Sequence, residues 1–282
     1  MDKRAFLAGT LGLGLSPAAH AKPLDAGKQA NAPAATLCRE GVPHAMARTV
    51  GIFQTQQGWP NGMALAPEGV WIGEQQTLTP DFGPAGVSND AFLYDWNGRV
   101  LRTFRTRSQN TSGLGFGGGY LWLGANAAPF GIFQMTPDGE TVSHRQIPLG
   151  GGGCHGVEWH AGKLWIVSTR LRAIMRVDPD NWQAEFLIPI QAQRAHETAY
   201  DNGAIWIVAG TGGGARNCAG LHKYDAVTGR LLETVDFVDG SADPHGLLIR
   251  DGLLYSCDAG VLPGAPLRSS PGSGSIFRID FI

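Results

Sequence analysis

Short runs of alternating apolar and polar residues recur along most of this chain. Five segments align without gaps: PNGMALAPEGVWIGE (60–74), TSGLGFGGGYLWLGA (111–125), CHGVEWHAGKLWIVS (154–168), AHETAYDNGAIWIVA (195–209) and PHGLLIRDGLLYSCD (244–258). The second residue of each is polar, followed by Gly in four segments and by Glu197 in one. An aromatic residue stands nine positions after that Gly or Glu: Trp71, Trp122, Trp165, Trp206 or Tyr255. The pattern predicts two strands around a turn at Gly69, Gly119, Gly162, Gly203 or Gly252. A third strand follows in FLYDW, IFQMT, IMRVD, LHKYD and SIFRID. Turn signals come next (DWNG, TPDG, DPDN, DAVTG), then a fourth strand such as RVLRTF or RLLETVDF. Four strands per 41 to 51 residues is the period of a β-propeller blade.

The ends of the pattern predict how such a ring closes. The last unit stops at its third strand, SIFRIDFI, and RTVGIFQT (48–55) precedes the first unit and belongs to none. This segment is expected to supply the missing outer strand. The fold expected is therefore all-β, a propeller of five four-stranded blades over residues 48–282. A sixth blade needs about 40 more residues. The six-bladed alternative draws on residues 22–47, which are rich in Pro and Ala, show no alternation and read as an irregular arm. The five aligned aromatics are read as core between blades.

Composition narrows the picture. Of 282 residues, 43% are hydrophobic and only 16% charged, a balance that supports a core rather than disorder. A net charge of −2 offers no basis for a nucleic-acid partner. Asp2-Lys3-Arg4, the apolar run Ala5–Leu15 and the Ala19-His20-Ala21 site read as an export signal over residues 1–21. The run is too short to span a bilayer, so the mature chain is expected in a periplasm or outside the cell, with no membrane attachment beyond the signal. That compartment permits disulfides, and Cys38, Cys154, Cys218 and Cys257 allow three pairings, with free buried thiols the alternative.

The first strand of each propeller blade lines the channel, so the polar residue before each repeat Gly or Glu197 is expected at one channel mouth. These residues are Asn61, Ser112, His155, His196 and His245. Three imidazoles side by side suit a divalent metal, with Zn, Fe, Cu or Mn favoured over Ca, and Asn61 is a further candidate ligand. Water-filled channel lining and ligand hydrogen bonding are the bland alternatives. Three residues past the aromatics, Glu74 and Asp258 are expected on the same face, and Glu197 follows His196 directly. With His245 these three are the candidate catalytic groups, as acids, bases or partners of an imidazole. Ser112, Arg170 and Arg216 are candidate substrate contacts, and Arg268 falls in a loop of the same face. Loops 75–90, 210–219 and 259–274 are long on this face, as if to cover a pocket. His144, His160 and His222 are assigned no role, and His44 is undecided. GFGGGY (115–120) superficially suggests a phosphate loop but lies inside a blade hairpin.

The units PNGMAL…GVWIGE and PHGLLIRDGLLYSCD resemble repeats of the SMP-30/gluconolactonase-like superfamily, and look like the repeats of streptogramin B lyases. The likeness covers residues 55–282 through short motifs. The lactonase resemblance implies a divalent ion, often calcium, held by a Glu, the Asn of a P-N-G turn and an Asp. Asn61 matches that Asn, whereas His155, His196 and His245 stand where the Asp turn is expected. The lyase resemblance implies magnesium and a His base, which His245 resembles. Both groups carry six or seven blades.

The reading is an exported, metal-dependent enzyme acting on a small organic molecule at the channel mouth. Elimination is preferred over lactone or ester hydrolysis, because the mouth is rich in His and no nucleophile motif is present. The alternative is a non-catalytic propeller binding a ligand or a protein.

Overall fold

The computed structural model describes residues 41–56, 59–75, 90–210, 218–260 and 272–282. The expected signal, most of the arm, Cys38, Arg216, Arg268 and the bulk of the three long loops lie outside them. Among the described residues the chain is all-β apart from one short 3-10 turn at Pro148–Gly150, and no helix is long and apolar enough to cross a membrane.

Strand β1 (His44–Gln54) comes first. Strands β2 (Pro60–Ala66), β3 (Gly69–Glu74), β4 (Asp90–Tyr94) and β5 (Val100–Arg105) form one antiparallel sheet in that order. The next sheet is β6 (Gln109–Gly117), β7 (Tyr120–Ala127), β8 (Gly131–Met135) and β9 (Thr141–Arg145). The third is β10 (Cys154–His160), β11 (Lys163–Ser168), β12 (Ala173–Val177) and β13 (Ala184–Pro189). Two further four-stranded units share one eight-stranded sheet. One is β14 (Ala195–Asp201), β15 (Ala204–Ala209), β16 (Gly220–Asp225) and β17 (Leu231–Phe237). The other is β18 (Leu247–Arg250), β19 (Leu253–Cys257) and β20 (Ser275–Phe281), with β1 as its fourth strand. This is the architecture of a β-propeller.

Local chemistry explains the hairpins. In four inner turns both central residues take positive φ, the backbone of a type I′ turn: Gly118–Gly119, Ala161–Gly162, Asn202–Gly203 and Asp251–Gly252. Strand β1 pairs antiparallel with β20 from Ala47–Phe281 to Gln54–Ser275, and parallel with β17 from His44–Thr234 to Ala47–Phe237. It begins four residues earlier than the expected segment 48–55, so the end of the expected arm is strand. Pairing with β17 draws those residues into the sheet.

Strand β11 is apolar on both faces, because its sheet is covered on both sides. In β11, Leu164 and Ile166 pack with Trp122 and Ile132 of the preceding sheet, while Trp165 and Val167 pack with Ile205 and Ile207 of the following one. The repeat aromatics all face the same way round. Trp71 packs on the second sheet, Trp122 on the third, Trp165 on the fourth and Trp206 on the last. Tyr255 completes the series by packing with Met63, Ile72 and Tyr94 of the first. Each is at most 9% exposed, as a core residue between sheets should be. Of the cysteines, Cys218 is disulfide-bonded, and Cys154 and Cys257 are buried free thiols. The Cys257 thiol donates to Pro60 O (3.1 Å), tying the last sheet to the first.

Because Tyr255 occupies between the last and first sheets the place that Trp165 occupies between the third and fourth, truncating either is expected to cost stability of the same order, about 3–5 kcal/mol. Urea denaturation of Trp165→Ala and Tyr255→Ala measures this. A Tyr255→Ala cost near zero contradicts the packing.

Candidate active site at the channel mouth

The inner strands converge most closely just below the mouth. A Cβ on Gly62 would lie 2.9 Å from Gly113 C, and one on Gly113 2.7 Å from Gly156 Cα. No side chain fits there, which explains the glycine of the repeat. In β14 that place is taken by Glu197, whose side chain instead enters the channel. Its carboxylate accepts N–H bonds from Leu114 (3.0 Å) and Val157 (2.5 Å), joining three sheets. Its own N–H donates to His245 O (3.1 Å), reaching the last sheet. Burial pushes its acidity well below that of a free carboxyl, so its pKa is high, and those N–H bonds only partly offset this.

One residue above the glycines, the ladder slips. The pairing of β2 with β3, β6 with β7 and β10 with β11 shifts register between Pro60 and Gly62, Thr111 and Gly113, and Cys154 and Gly156; that of β14 with β15 shifts between Ala195 and Thr198. Such bulges turn a side chain out of the ladder, and the residues at them are Asn61, Ser112, His155 and His196. His245 stands just ahead of β18, held by its N–H to Cys257 O (2.8 Å). The polar ring thus gathers as the repeat predicts. The His155 and His196 rings stack at 4.9 Å, and His196 and His245 meet at 4.4 Å.

The two flanking imidazoles are fully engaged. His155 Nδ1 donates to Ala195 O (2.8 Å), and its Nε2 accepts from the Asn126 amide (2.7 Å). Arg194 pairs with Asp243 (2.6 Å) and donates to His245 Nε2 (3.0 Å), which leaves His245 Nδ1 to donate to Asp243 O (3.0 Å). Both rings are therefore neutral, with the proton on Nδ1. Among the described residues His196, 6% exposed between them, has no hydrogen-bond partner at either ring nitrogen. Burial lowers the pKa of all three: His155 below its usual range, His245 to about 4, and His196 well down, where burial is reinforced by both neighbouring histidines and Arg194. Asn61 donates to Ser112 Oγ (3.0 Å), while its own Oδ1 is buried without a partner.

The remaining expected site residues divide. Glu74 and Asp258 are fully buried and act as braces: Glu74 accepts the Trp59 N–H (2.9 Å), and Asp258 accepts those of Asp243 (2.9 Å) and Gly260 (2.8 Å). Neither bonds an imidazole. Burial pushes Glu74 up to about 8. Glu197, likewise, gives its carboxylate to backbone N–H groups and not to the mouth. Arg170 is exposed at the rim, donating to Gly150 O (3.3 Å). Arg194, Asp243 and Asn126 were not anticipated. Arg194 and Asp243 both stand two residues before the ring histidine of their segment, and Asn126 one residue beyond the third position past Trp122.

These residues do not fit a divalent ion. A cation held by three imidazoles needs three converging lone pairs, but His155 Nε2 and His245 Nε2 already accept from Asn126 and Arg194. The Arg194 guanidinium adds a fixed positive charge beside His245. Calcium takes oxygen ligands instead, and among the described residues no group of three or more His, Cys, Asp or Glu is arranged to hold a metal. Of the expected ligands His155, His196, His245 and Asn61, only His196 and the Asn61 oxygen keep acceptors unspent in this arrangement.

No family model and no curated protein matches the chain. Similar solved structures include Myxococcus xanthus glutaminyl cyclase, at 10% identity over 85% of this chain and 98% of that one, with a TM-score of 0.61. A virginiamycin B lyase from Staphylococcus aureus matches at 15% identity over 84% and 99%, with a TM-score of 0.48. A nidogen/laminin complex matches at 14% over 71% and 72%, with a TM-score of 0.51. With the glutaminyl cyclase the shared feature is the β-propeller fold.

Two outcomes follow for this propeller. Glu197→Gln turns an amide N–H₂ toward backbone donors and is expected to cost about 1–3 kcal/mol by urea denaturation; no loss contradicts the bonding described. Stability is also expected to peak in mild acid. The unfolded chain takes up protons on its histidines below about pH 6.5 while the folded mouth stays neutral, so stability falls from there toward pH 4. Glu74 holds its proton when folded up to about pH 8, so stability falls as pH rises from 4.5 toward 8. Glu74→Gln should flatten the alkaline side of the profile.

Proposed function

We propose that this chain is an exported, five-bladed propeller enzyme that moves a proton within a small organic substrate bound at the channel mouth. Elimination is preferred over lactone or ester hydrolysis. The observation that carries this is His196: a buried imidazole, both nitrogens unpartnered among the described residues, between two rings whose nitrogens are fully committed. A buried group left unsatisfied by the protein is a place for a ligand's polar atoms.

His196 is neutral at neutral pH, so its lone pair is available to remove a proton next to a carbonyl. Burial makes a lone imidazolium costly. Transfer is therefore favoured only when negative charge develops beside it on the substrate, which pairs with the new cation. The electron pair left on carbon expels the leaving group, and His196 returns the proton to it. Asn126 and Arg194 hold the flanking rings neutral, so neither competes for that proton. Acyl transfer through a protein nucleophile finds little support. Ser112 Oγ is bonded to Asn61 and to Asn110 O (3.1 Å), and the Cys154 and Cys257 thiols are buried with pKa values pushed far up. The disulfide at Cys218 supports an oxidising compartment. The packing of Tyr255 on the first sheet supports a ring of five blades.

The test is a panel of β-elimination substrates, lactones and esters, with chelator and with added Zn, Fe, Mn or Ca, on the protein and on His196→Phe. The phenyl ring keeps the stacking and removes two unsatisfied nitrogens, so stability is expected to hold or rise. Turnover is expected to drop about 10²–10⁴-fold. Full turnover by His196→Phe overturns the reading, as does activity that appears only with a stoichiometric metal.

A further inference from the structure

His196 shares the mouth with a second unspent polar group. Asn61 holds the equivalent place in the first sheet and is 3% exposed, and among the described residues its Oδ1 is buried without a hydrogen-bond partner. The other end of the same amide is committed. Nδ2 donates to Ser112 Oγ (3.0 Å), and the Ser112 hydroxyl donates in turn to Asn110 O (3.1 Å). This relay sets which way the amide faces. Turned over, it would bury two N–H donors in place of one oxygen and draw the hydroxyl away from Asn110 O.

In the ring of five proposed above, the place across from His196 is taken by Asn61 and Ser112. Of these two, Ser112 is spent and Asn61 is open. The nearby Cys257 thiol reaches the backbone carbonyls of Pro60 (3.1 Å) and Asn61 (3.4 Å) and not the side-chain oxygen. An amide oxygen only accepts, so whatever satisfies it must bring a hydrogen on oxygen or nitrogen. A buried acceptor left open is costly to the folded chain, and a ligand that supplies the donor removes that cost.

We propose that the molecule bound at the mouth carries a hydroxyl or N–H group that donates to Asn61 Oδ1, across the mouth from the C–H bond that faces His196. The inference rests on the mouth being the substrate site, as assigned above, and makes Asn61 its specificity-determining residue. A site built around such a bond rejects the analogue that lacks the donor.

The test follows the His196 ring C–H signals of the full chain by NMR, identified by their loss in His196→Phe. The probes are para-hydroxyacetophenone with para-methoxyacetophenone, and para-acetylbenzamide with its N,N-dimethyl form. Each offers a C–H next to a carbonyl, and only the first of each pair offers a donor: a hydroxyl in one pair, an N–H in the other. Saturable shifts are expected, with the donor-bearing member of at least one pair binding about tenfold more tightly than its blocked partner. Asn61→Leu should erase that difference, and Asn61→Asp, which keeps an acceptor oxygen in place, should retain it. Thermal melting checks that both variants fold. Absence of saturable shifts overturns the proposal. So does equal binding within both pairs, or a preference that survives Asn61→Leu. Donor-selective binding that depends on Asn61, without turnover of any elimination substrate, lactone or ester, upholds it and overturns instead the reaction assigned to His196.

Discussion

The closeness of the inner strands below the mouth is the constraint on which the rest depends. Glycine backbones meet at distances that leave no room for a Cβ, and in one strand a carboxylate takes the place of that gap. Glu197 ties Leu114 and Val157 together from across the channel. A buried carboxyl is costly unless its bonds are made, so the strands are held where those bonds are good. With the strands pinned there, the residue above each glycine is forced out of the ladder and toward its neighbours. The crowding of polar side chains at the mouth is thus a mechanical result of crowding one step below.

The mouth turns that crowding into chemical asymmetry. Three rings from three neighbouring four-stranded units are equivalent in the repeat, yet their environments differ. Asn126 fills the acceptor of one, and Arg194, steadied by Asp243, fills that of another. Among the described residues the middle ring receives no hydrogen bond. A repeated fold has in this way produced a single distinctive group from three copies, by decorating two of them.

The sequence carried the repeat, and with it the strands, the aromatic layers and the polar ring, because each rests on period and spacing. The function of the ring was less legible. Three histidines in register look the same whether their lone pairs are free or spent, and the residues that spend them lie one or two places off the aligned positions. Reading the position two before each ring residue gives Trp59, Asn110, Gly153, Arg194 and Asp243, where an ion pair on neighbouring blades was visible in principle. Glu74 and Asp258 were read as acid–base groups because they end on the mouth face. Their short side chains reach instead the N–H groups of the residues two before Asn61 and His245, Trp59 and Asp243. Glu197 looked available because it adjoins His196, but adjacent residues at a bulge need not share a direction.

Strand β1 lies between β17 and β20, so one of the first strands to be made completes a sheet whose other members are among the last. Its partners are more than 180 residues away along the chain, as in His44 with Thr234. Pairing across such a separation pays its loop-closure entropy before any contact returns it. The sheets in between can form from local hairpins, but the circle is completed only by this late encounter. The same clasp that holds the finished ring is thus its kinetic bottleneck, and an unclasped ring exposes the apolar faces of its first and last sheets together.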